Sequence, residues 1–146
     1  GQHLINVVAG VLLGPWWAAL VALFIGVIRM SLGIGTIYSI PGGIPGALVV
    51  GLVHRFLKKT RYRNKAEVAG LFEPIGTVLI GGTLALLVFA PALHDIRMLS
   101  KLQEGALSAL IALWIGWAFS SVPGSIMGFI TVKILKKIGI TSDVFE

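Results

Sequence analysis

Long apolar segments make up most of this chain, and one long polar run divides them. The run covers Leu57–Ala69, and residues 55–65 contain six of the chain's twelve Lys and Arg residues. Of all 146 residues, 56% are hydrophobic and 12% are charged, whereas about a quarter of the residues in a soluble domain are charged. A soluble fold of this size could not bury so much apolar surface. The sequence therefore predicts an all-α, polytopic helical bundle in a membrane, formed as one domain over residues 1–146.

Five apolar segments are candidates for membrane helices, since one crossing needs about 20 apolar residues with a tolerance of several. They are Leu4–Leu13, Trp16–Met30, about Ile44–Phe56, Leu71–Leu93 and Gly105–Leu135. The Gly-rich stretch Ser31–Gly43 predicts a loop or broken helix. The stretch His94–Glu104 predicts a short amphipathic connector, and Ser120–Gly124 predicts a kink at its proline.

Basic residues near the ends of membrane helices favour the cytoplasmic side. If Leu57–Ala69 is cytoplasmic, the path through the five segments also places the C-terminus there. Nine of the twelve cations are then inside, and the three outside are Arg29, Arg97 and Lys101. Cations beside apolar segments are typical of contact with lipid head groups, so the net charge of +6 does not indicate nucleic acid. The same path places Gly1 outside, and we expect one further helix to precede it in a protein of the plasma membrane.

Polar side chains within lipid are costly, so they usually face inwards or serve a function. In this topology three groups of such residues fall in the outer half of the bundle, and His94 lies near them. These residues are Gln2, His3, Asn6, Arg29, Thr36, Tyr38, Ser39, Trp114, Trp117, Ser120 and Ser121. Aromatic rings beside hydrogen-bonding groups suit a small heteroaromatic ligand. We expect a ligand pocket here, although Trp114 and Trp117 could also be packing residues.

Other polar and small residues have competing interpretations. Arg29 could pair with a backbone carbonyl or a lipid head group instead of a ligand. Glu73 is expected to pair with Arg55 or another cation of the basic run. The ridge Ala18, Ala22 and Gly26 allows close helix contact, either as a docking face for a partner or as packing within the bundle.

Signatures of catalysis are weak. The chain has no Walker motif, no cysteine and no paired metal ligands. We therefore predict a protein that is not an enzyme and has no cofactor or metal. Two alternatives stay open, an intramembrane hydrolase that uses Ser121 and a purely structural membrane subunit.

Several stretches resemble the ThiW family, whose members are substrate-binding (S) components of energy-coupling factor (ECF) transporters. The first is Gly-Gln-His-Leu-Ile-Asn-Val-Val-Ala-Gly-Val-Leu-Leu-Gly-Pro-Trp-Trp at residues 1–17. The others, in the same order and spacing, are Ile28–Thr36, Pro41–Leu48, Glu73–Thr77 and Ser120–Ser125. The resemblance covers nearly the whole chain.

The resemblance implies an S component of six helices, of which five are visible here. It also implies capture of a thiamin precursor, the hydroxyethylthiazole moiety, from outside the cell. A membrane coupling protein and two cytoplasmic ATPases would be its partners. The thiazole ring would stack on Trp114 or Trp117, while Asn6, His3 or Tyr38 would hydrogen-bond to its nitrogen and hydroxyl. Thiamin or its pyrimidine moiety remains an alternative ligand.

Overall fold

The computed structural model describes residues 1–145 and shows a bundle of helices. In chain order these are α1 (Gln2–Leu13), α2 (Pro15–Ser31), α3 (Ser39–Lys58), α4 (Arg63–Ala92), α5 (Ile96–Glu104) and α6 (Ala106–Lys137), followed by a 3-10 turn at Ser142–Phe145. No strand occurs among these residues. The predicted all-α class is confirmed.

Helix α4 is irregular along its length. It begins as a 3-10 helix at Arg63–Phe72 and then alternates between π-helical and α-helical turns from Ile75 to Ala92. The second half of the polar run Leu57–Ala69 is therefore helical. Helix α3 also extends into the run as far as Lys58, because Lys and Arg side chains near a helix C-terminus interact favourably with the helix dipole.

Three helices are long and apolar enough to cross a membrane: α3, α4 and α6, with 20, 30 and 32 residues. At 1.5 Å per residue, α1 with 12 residues and α2 with 17 are about 18 and 26 Å long. A hydrocarbon core is about 30 Å thick. All five predicted apolar segments are helical, and α1 and α2 are shorter than this thickness.

Two glycine- and proline-rich stretches are more regular than their sequences predict. Helix α3 begins at Ser39, so only residues 32–38 form the loop that was expected to reach Gly43. Proline is tolerated in the first turn of a helix, where the backbone N–H has no partner inside the helix, and Pro41 lies there. Helix α6 runs on through Pro123, so Ser120–Gly124 does not interrupt the helix.

Small residues allow α1, α2 and α3 to pack closely. Ala9, Ala18, Ala22 and Ala47 form one buried cluster that joins these three helices. Gly26 is also buried, with Ser39 and Ile40 of α3 against it. The ridge Ala18, Ala22 and Gly26 is thus covered within the bundle and is not an exposed docking face. Its small side chains serve contact between helices, which was the second interpretation of the ridge.

Ion pairs show that the two basic clusters lie at the same end of the bundle. Lys136 Nζ lies 3.2 Å from Glu67 Oε2 and also donates to the backbone carbonyl of Asn64. Lys58 Nζ lies 3.0 Å from Asp143 Oδ1. We name this end the basic end. Because α4 runs away from it, the α4–α5 junction lies at the opposite end.

The close approach of α3 and α4 gives a test of this packing. A methyl group at Gly76 would lie 2.7 Å from Gly46 Cα, in contact with the α3 backbone. We expect Gly76→Ala to lower the free energy of unfolding by about 1–3 kcal/mol or more, measured by denaturant titration in detergent. The control is Gly116→Ala, since nothing lies within 4 Å of a methyl group there. Equal stability of the two variants would contradict this packing.

Candidate ligand-binding site

A cavity of about 370 Å³ opens at the end of the bundle opposite the basic end. Its volume falls within the range of about 300–1,000 Å³ for small-molecule sites. The walls come from the start of α1, the end of α2, the 32–38 loop, the start of α3, and α4, α5 and α6. Eight of the predicted site residues line it: Gln2, His3, Arg29, Thr36, Tyr38, Ser39, Trp117 and Ser120. Thr77, Met98 and Gly116 are further lining residues.

Glu73 lies beneath this cavity with an exposed fraction of 0%. One carboxylate oxygen, Oε1, lies 3.0 Å from His3 Nδ1 and accepts from Asn6 Nδ2 at 3.1 Å and from the Thr77 hydroxyl. The other oxygen, Oε2, accepts from Ser121 Oγ at 2.6 Å. A buried carboxylate requires such donors because it has lost its hydration. The cluster joins α1, α4 and α6 at one point.

The expected pairing of Glu73 with Arg55 or another cation of the basic run is wrong. The 3-10 segment of α4 leads from the basic end into the bundle, and Gly70 already packs against Val7 in the middle of α1. Glu73 is therefore among the helices, beyond the cations. A residue with a side chain at Gly46 would come within 2.6 Å of Glu73 Oε1, so glycine in α3 makes room for the carboxylate.

Arg29 brings a positive charge to the cavity wall. Its guanidinium donates to Gln2 Oε1 and, at 3.4 Å, to the carbonyl of Ile34, and Gln2 Nε2 donates to the Ser39 carbonyl at 3.1 Å. Among residues 1–145, Arg29 forms no ion pair with a carboxylate. The pairing with a backbone carbonyl, one of the sequence interpretations, is present at Ile34. The hydrogen bonds from Arg29 to Gln2 and from Gln2 to Ser39 connect α2, α1 and α3.

Tyr38 and Asp95 join the 32–38 loop to the start of α5. Tyr38 Oη donates to Asp95 Oδ2 at 2.5 Å, and Asp95 Oδ1 accepts from the backbone N–H groups of Arg97 and Met98, which caps α5. Burial, with the hydrogen bond and charge of Asp95 added, raises the pKa of Tyr38 to about 12. The Tyr38 hydroxyl is the main cause that lowers the pKa of Asp95, followed by the Met98 N–H. We name the 32–38 loop with Met98 the cavity cover.

Four of the predicted site residues do not line the cavity. Asn6 and Ser121 are buried beside Glu73. Trp114 Nε1 donates to Thr83 Oγ1 at 3.2 Å, which makes it a packing residue between α6 and α4. His94 is exposed, with a backbone φ of 52° at the α4–α5 junction.

Sequence reasoning overlooked Glu73, Thr77 and Met98 as parts of the site. A usable signal existed for Glu73, since it is a lone carboxylate in an apolar segment and such residues usually face the bundle interior. Thr77 lies four residues later, on the same side of the helix.

A second cavity, of about 170 Å³, lies at the basic end. Among its lining residues, Lys136 pairs with Glu67 and Lys58 pairs with Asp143. Two of the cations there are thus paired with carboxylates of the chain.

The Glu73 cluster makes a prediction about two buried serines of α6. Ser121→Ala leaves Glu73 Oε2 without its donor, and we expect the free energy of unfolding to fall by about 1–3 kcal/mol. The matched control is Ser125→Ala, because the Ser125 hydroxyl donates only to the carbonyl of Val122 in its own helix. Thermal unfolding in detergent would compare them, and an equal loss in both variants would contradict the role of Ser121.

The Tyr38–Asp95 contact predicts a dependence of stability on pH. A lowered pKa of Asp95 stabilises the fold above the ordinary value of 3.8, and this stabilisation is lost as the pH falls through the lowered pKa. A raised pKa of Tyr38 stabilises the fold below pH 10, and this is lost as the pH rises through about 12.

We therefore expect Tyr38→Phe to lower the melting temperature at neutral pH. The difference from the parent protein should shrink below about pH 4. Tyr62→Phe at the basic end is the control, since its hydroxyl accepts from Arg61 and contacts no carboxylate of residues 1–145. A Tyr38→Phe difference that stays constant down to pH 2 would refute the link to Asp95.

Comparison with known proteins supplies the family. No curated protein and no solved structure matches the chain. The family model of the thiamine-precursor transporter protein (ThiW) matches residues 1–138, which confirms the resemblance seen in the sequence. The chain therefore belongs to the ThiW family of thiamine-precursor transporter proteins, and it is a multi-pass helical membrane protein.

Proposed function

We propose that this protein is the substrate-binding (S) component of an ECF-type ABC transporter and captures hydroxyethylthiazole from outside the cell. Family membership supports a thiamine precursor as the substrate class. The observation that carries the proposal is the cavity of about 370 Å³ at the end away from the basic clusters, which combines an indole ring with hydrogen-bonding groups.

Charge asymmetry supports the direction of capture. The six cations of residues 55–65 and the three at the end of α6 lie together at the basic end. Such clusters are retained on the cytoplasmic side of the plasma membrane. The cavity would then open to the outside, with the C-terminus in the cytoplasm.

Trp117 is the best candidate to stack on a thiazole ring. It lines the cavity, whereas Trp114 is engaged with Thr83. The Trp117 ring lies against Gly42 of α3, where a methyl group would come within 3.2 Å of it, so the backbone of α3 fixes the ring in place. His3 and Tyr38 would supply polar contacts to the nitrogen and hydroxyl of the ligand.

The cavity cover would control access. Thr36 and Tyr38 of the loop and Met98 of α5 all line the cavity, and the Tyr38–Asp95 hydrogen bond holds the loop and α5 together. Opening of this contact would admit the ligand, and its closure would exclude water from the bound ring.

Uptake against a gradient would depend on partners, because the chain has no Walker motif. A membrane coupling protein and two ATPases would supply the energy from the cytoplasmic side. The ridge Ala18, Ala22 and Gly26 is covered within the bundle, so these contacts would use other residues.

The location of Ser121 argues against the hydrolase alternative. Its side chain is 0% exposed and donates to Glu73. A nucleophile needs contact with its substrate and a base that removes its proton, and Ser121 does not line the cavity.

Ligand binding by purified protein tests the proposal. We expect hydroxyethylthiazole to raise the melting temperature more than thiamin does, because the cavity has one indole for stacking and thiamin has two rings. The pyrimidine moiety is measured beside them as the single-ring comparison. Trp117→Ala should weaken binding by about 1–3 kcal/mol, since the ligand loses the apolar surface on which it stacks.

Trp16→Ala is the matched control, because Trp16 is 67% exposed and lies outside the cavity. Calorimetry on both variants would separate stacking from general damage to the bundle. Unchanged affinity of Trp117→Ala would remove that ring from the site. Binding of thiamin but not of the thiazole would overturn the proposed ligand.

A further inference from the structure

His3 connects the cavity to the buried carboxylate beneath it. Its ring lines the cavity, and its Nδ1 lies 3.0 Å from Glu73 Oε1. The side chain is 13% exposed, whereas that of Glu73 is 0% exposed. His3 is therefore the residue through which Glu73 could act on a ligand.

The other ring nitrogen of His3 is available to the cavity. Among residues 1–145, the one buried side-chain nitrogen or oxygen without a hydrogen-bond partner is Asn6 Oδ1. His3 Nε2 also has no hydrogen-bond partner in the described chain, but it is not one of these buried atoms. It is therefore accessible. The Cβ of His3 lies against Gly124 of α6, which restricts rotation of the side chain away from this position.

The chemistry of the two partners determines which nitrogen carries the proton. An ionised carboxylate only accepts hydrogen bonds, so Glu73 requires a proton on Nδ1. In a neutral imidazole the hydrogen bond made by one nitrogen sets the state of the other, and Nε2 then carries a lone pair. Asn6, Thr77 and Ser121 hold the carboxylate by three further hydrogen bonds, so the acceptor is fixed before a ligand arrives.

We propose that Glu73 is a positioning residue for ligand recognition: it holds the His3 ring by Nδ1, so that Nε2 of the neutral imidazole faces the cavity and accepts a hydrogen bond from a hydroxyl group of the ligand. Glu73 itself does not line the cavity. The inference rests on the proposed function for the ligand, and it adds the group that selects an alcohol. A ligand without a hydroxyl would leave Nε2 unpaired, which costs binding.

Two thiazoles that differ only in the hydroxyl test this selection by calorimetry. Hydroxyethylthiazole should bind the parent protein on the order of tenfold more tightly than the corresponding ethylthiazole. Glu73→Gln should keep this preference, since its amide oxygen can still accept from Nδ1. Glu73→Met has no acceptor and should bind the two thiazoles equally.

Ser125→Ala is the control for a buried change near the cluster and should keep the preference, because its hydroxyl bonds only to its own helix. A preference that survives in Glu73→Met would overturn the proposal.

Nitrogen-15 NMR of histidine-labelled protein in alkaline buffer gives a readout that needs no ligand. The signal of His3 is assigned by its loss in His3→Asn, since the chain has only His54 and His94 besides. We expect a proton on Nδ1 and an unprotonated Nε2, and a proton on Nε2 would overturn the proposal.

The two measurements also separate this inference from the proposed function. If neither thiazole binds the parent protein, the proposed ligand is wrong, and the NMR result alone decides the role of Glu73. If Glu73→Met does not fold, the protonation of His3 in the parent protein decides it in the same way.

Discussion

The hydrogen bonds to Glu73 are the constraint on which the rest of the bundle depends. A carboxylate in the middle of a membrane helix costs about 2.5–3.5 kcal/mol on insertion scales. Here His3 and Asn6 from α1, Thr77 from α4 and Ser121 from α6 all point at it. Loss of any donor would leave charge uncompensated in a region without water. The position of three helices is therefore set by one side chain.

Close packing of small residues makes this convergence possible. Apolar side chains gain little by leaving lipid for one another, so helices in membranes associate through small residues and polar contacts. Gly46 leaves room for the Glu73 carboxylate, and Gly76 lets α4 approach the backbone of α3. The buried alanines of α1, α2 and α3 likewise allow these three helices to approach one another closely. Polar and steric terms thus favour the same arrangement.

The sequence predicts the helices better than it predicts their contacts. Apolar length and charge placement were enough for five helical segments and for the end at which the two basic clusters meet. The start of α3 at Ser39 was not predictable from Pro41 and its neighbouring glycines, because these residues suit both a loop and a first helical turn. The π-helical turns of α4 have no signature in its composition.

For the site, too, the sequence predicts which residues come together better than it predicts their hydrogen-bond partners. Topology brought eight of the predicted residues to one cavity, since they share the end of the bundle away from the basic clusters. The partner of Glu73 was wrong because sequence distance favours the nearby cations, whereas the 3-10 segment brings Glu73 close to His3, 70 residues away in the chain. The sequence does not distinguish Trp114 from Trp117 as the stacking residue, whereas in the structure Trp117 lines the cavity and Trp114 donates to Thr83.

The cavity lies between a buried polar floor and a cover formed by the 32–38 loop and Met98. Glu73 and its donors form the floor, and the Tyr38–Asp95 contact closes the cover from the opposite side. An experimental structure of the protein with hydroxyethylthiazole is the most direct measurement of this claim. The account predicts the ring against Trp117 and the hydroxyl at His3 Nε2. A ring bound instead in the cavity at the basic end, among Lys58 and Lys136, would contradict it.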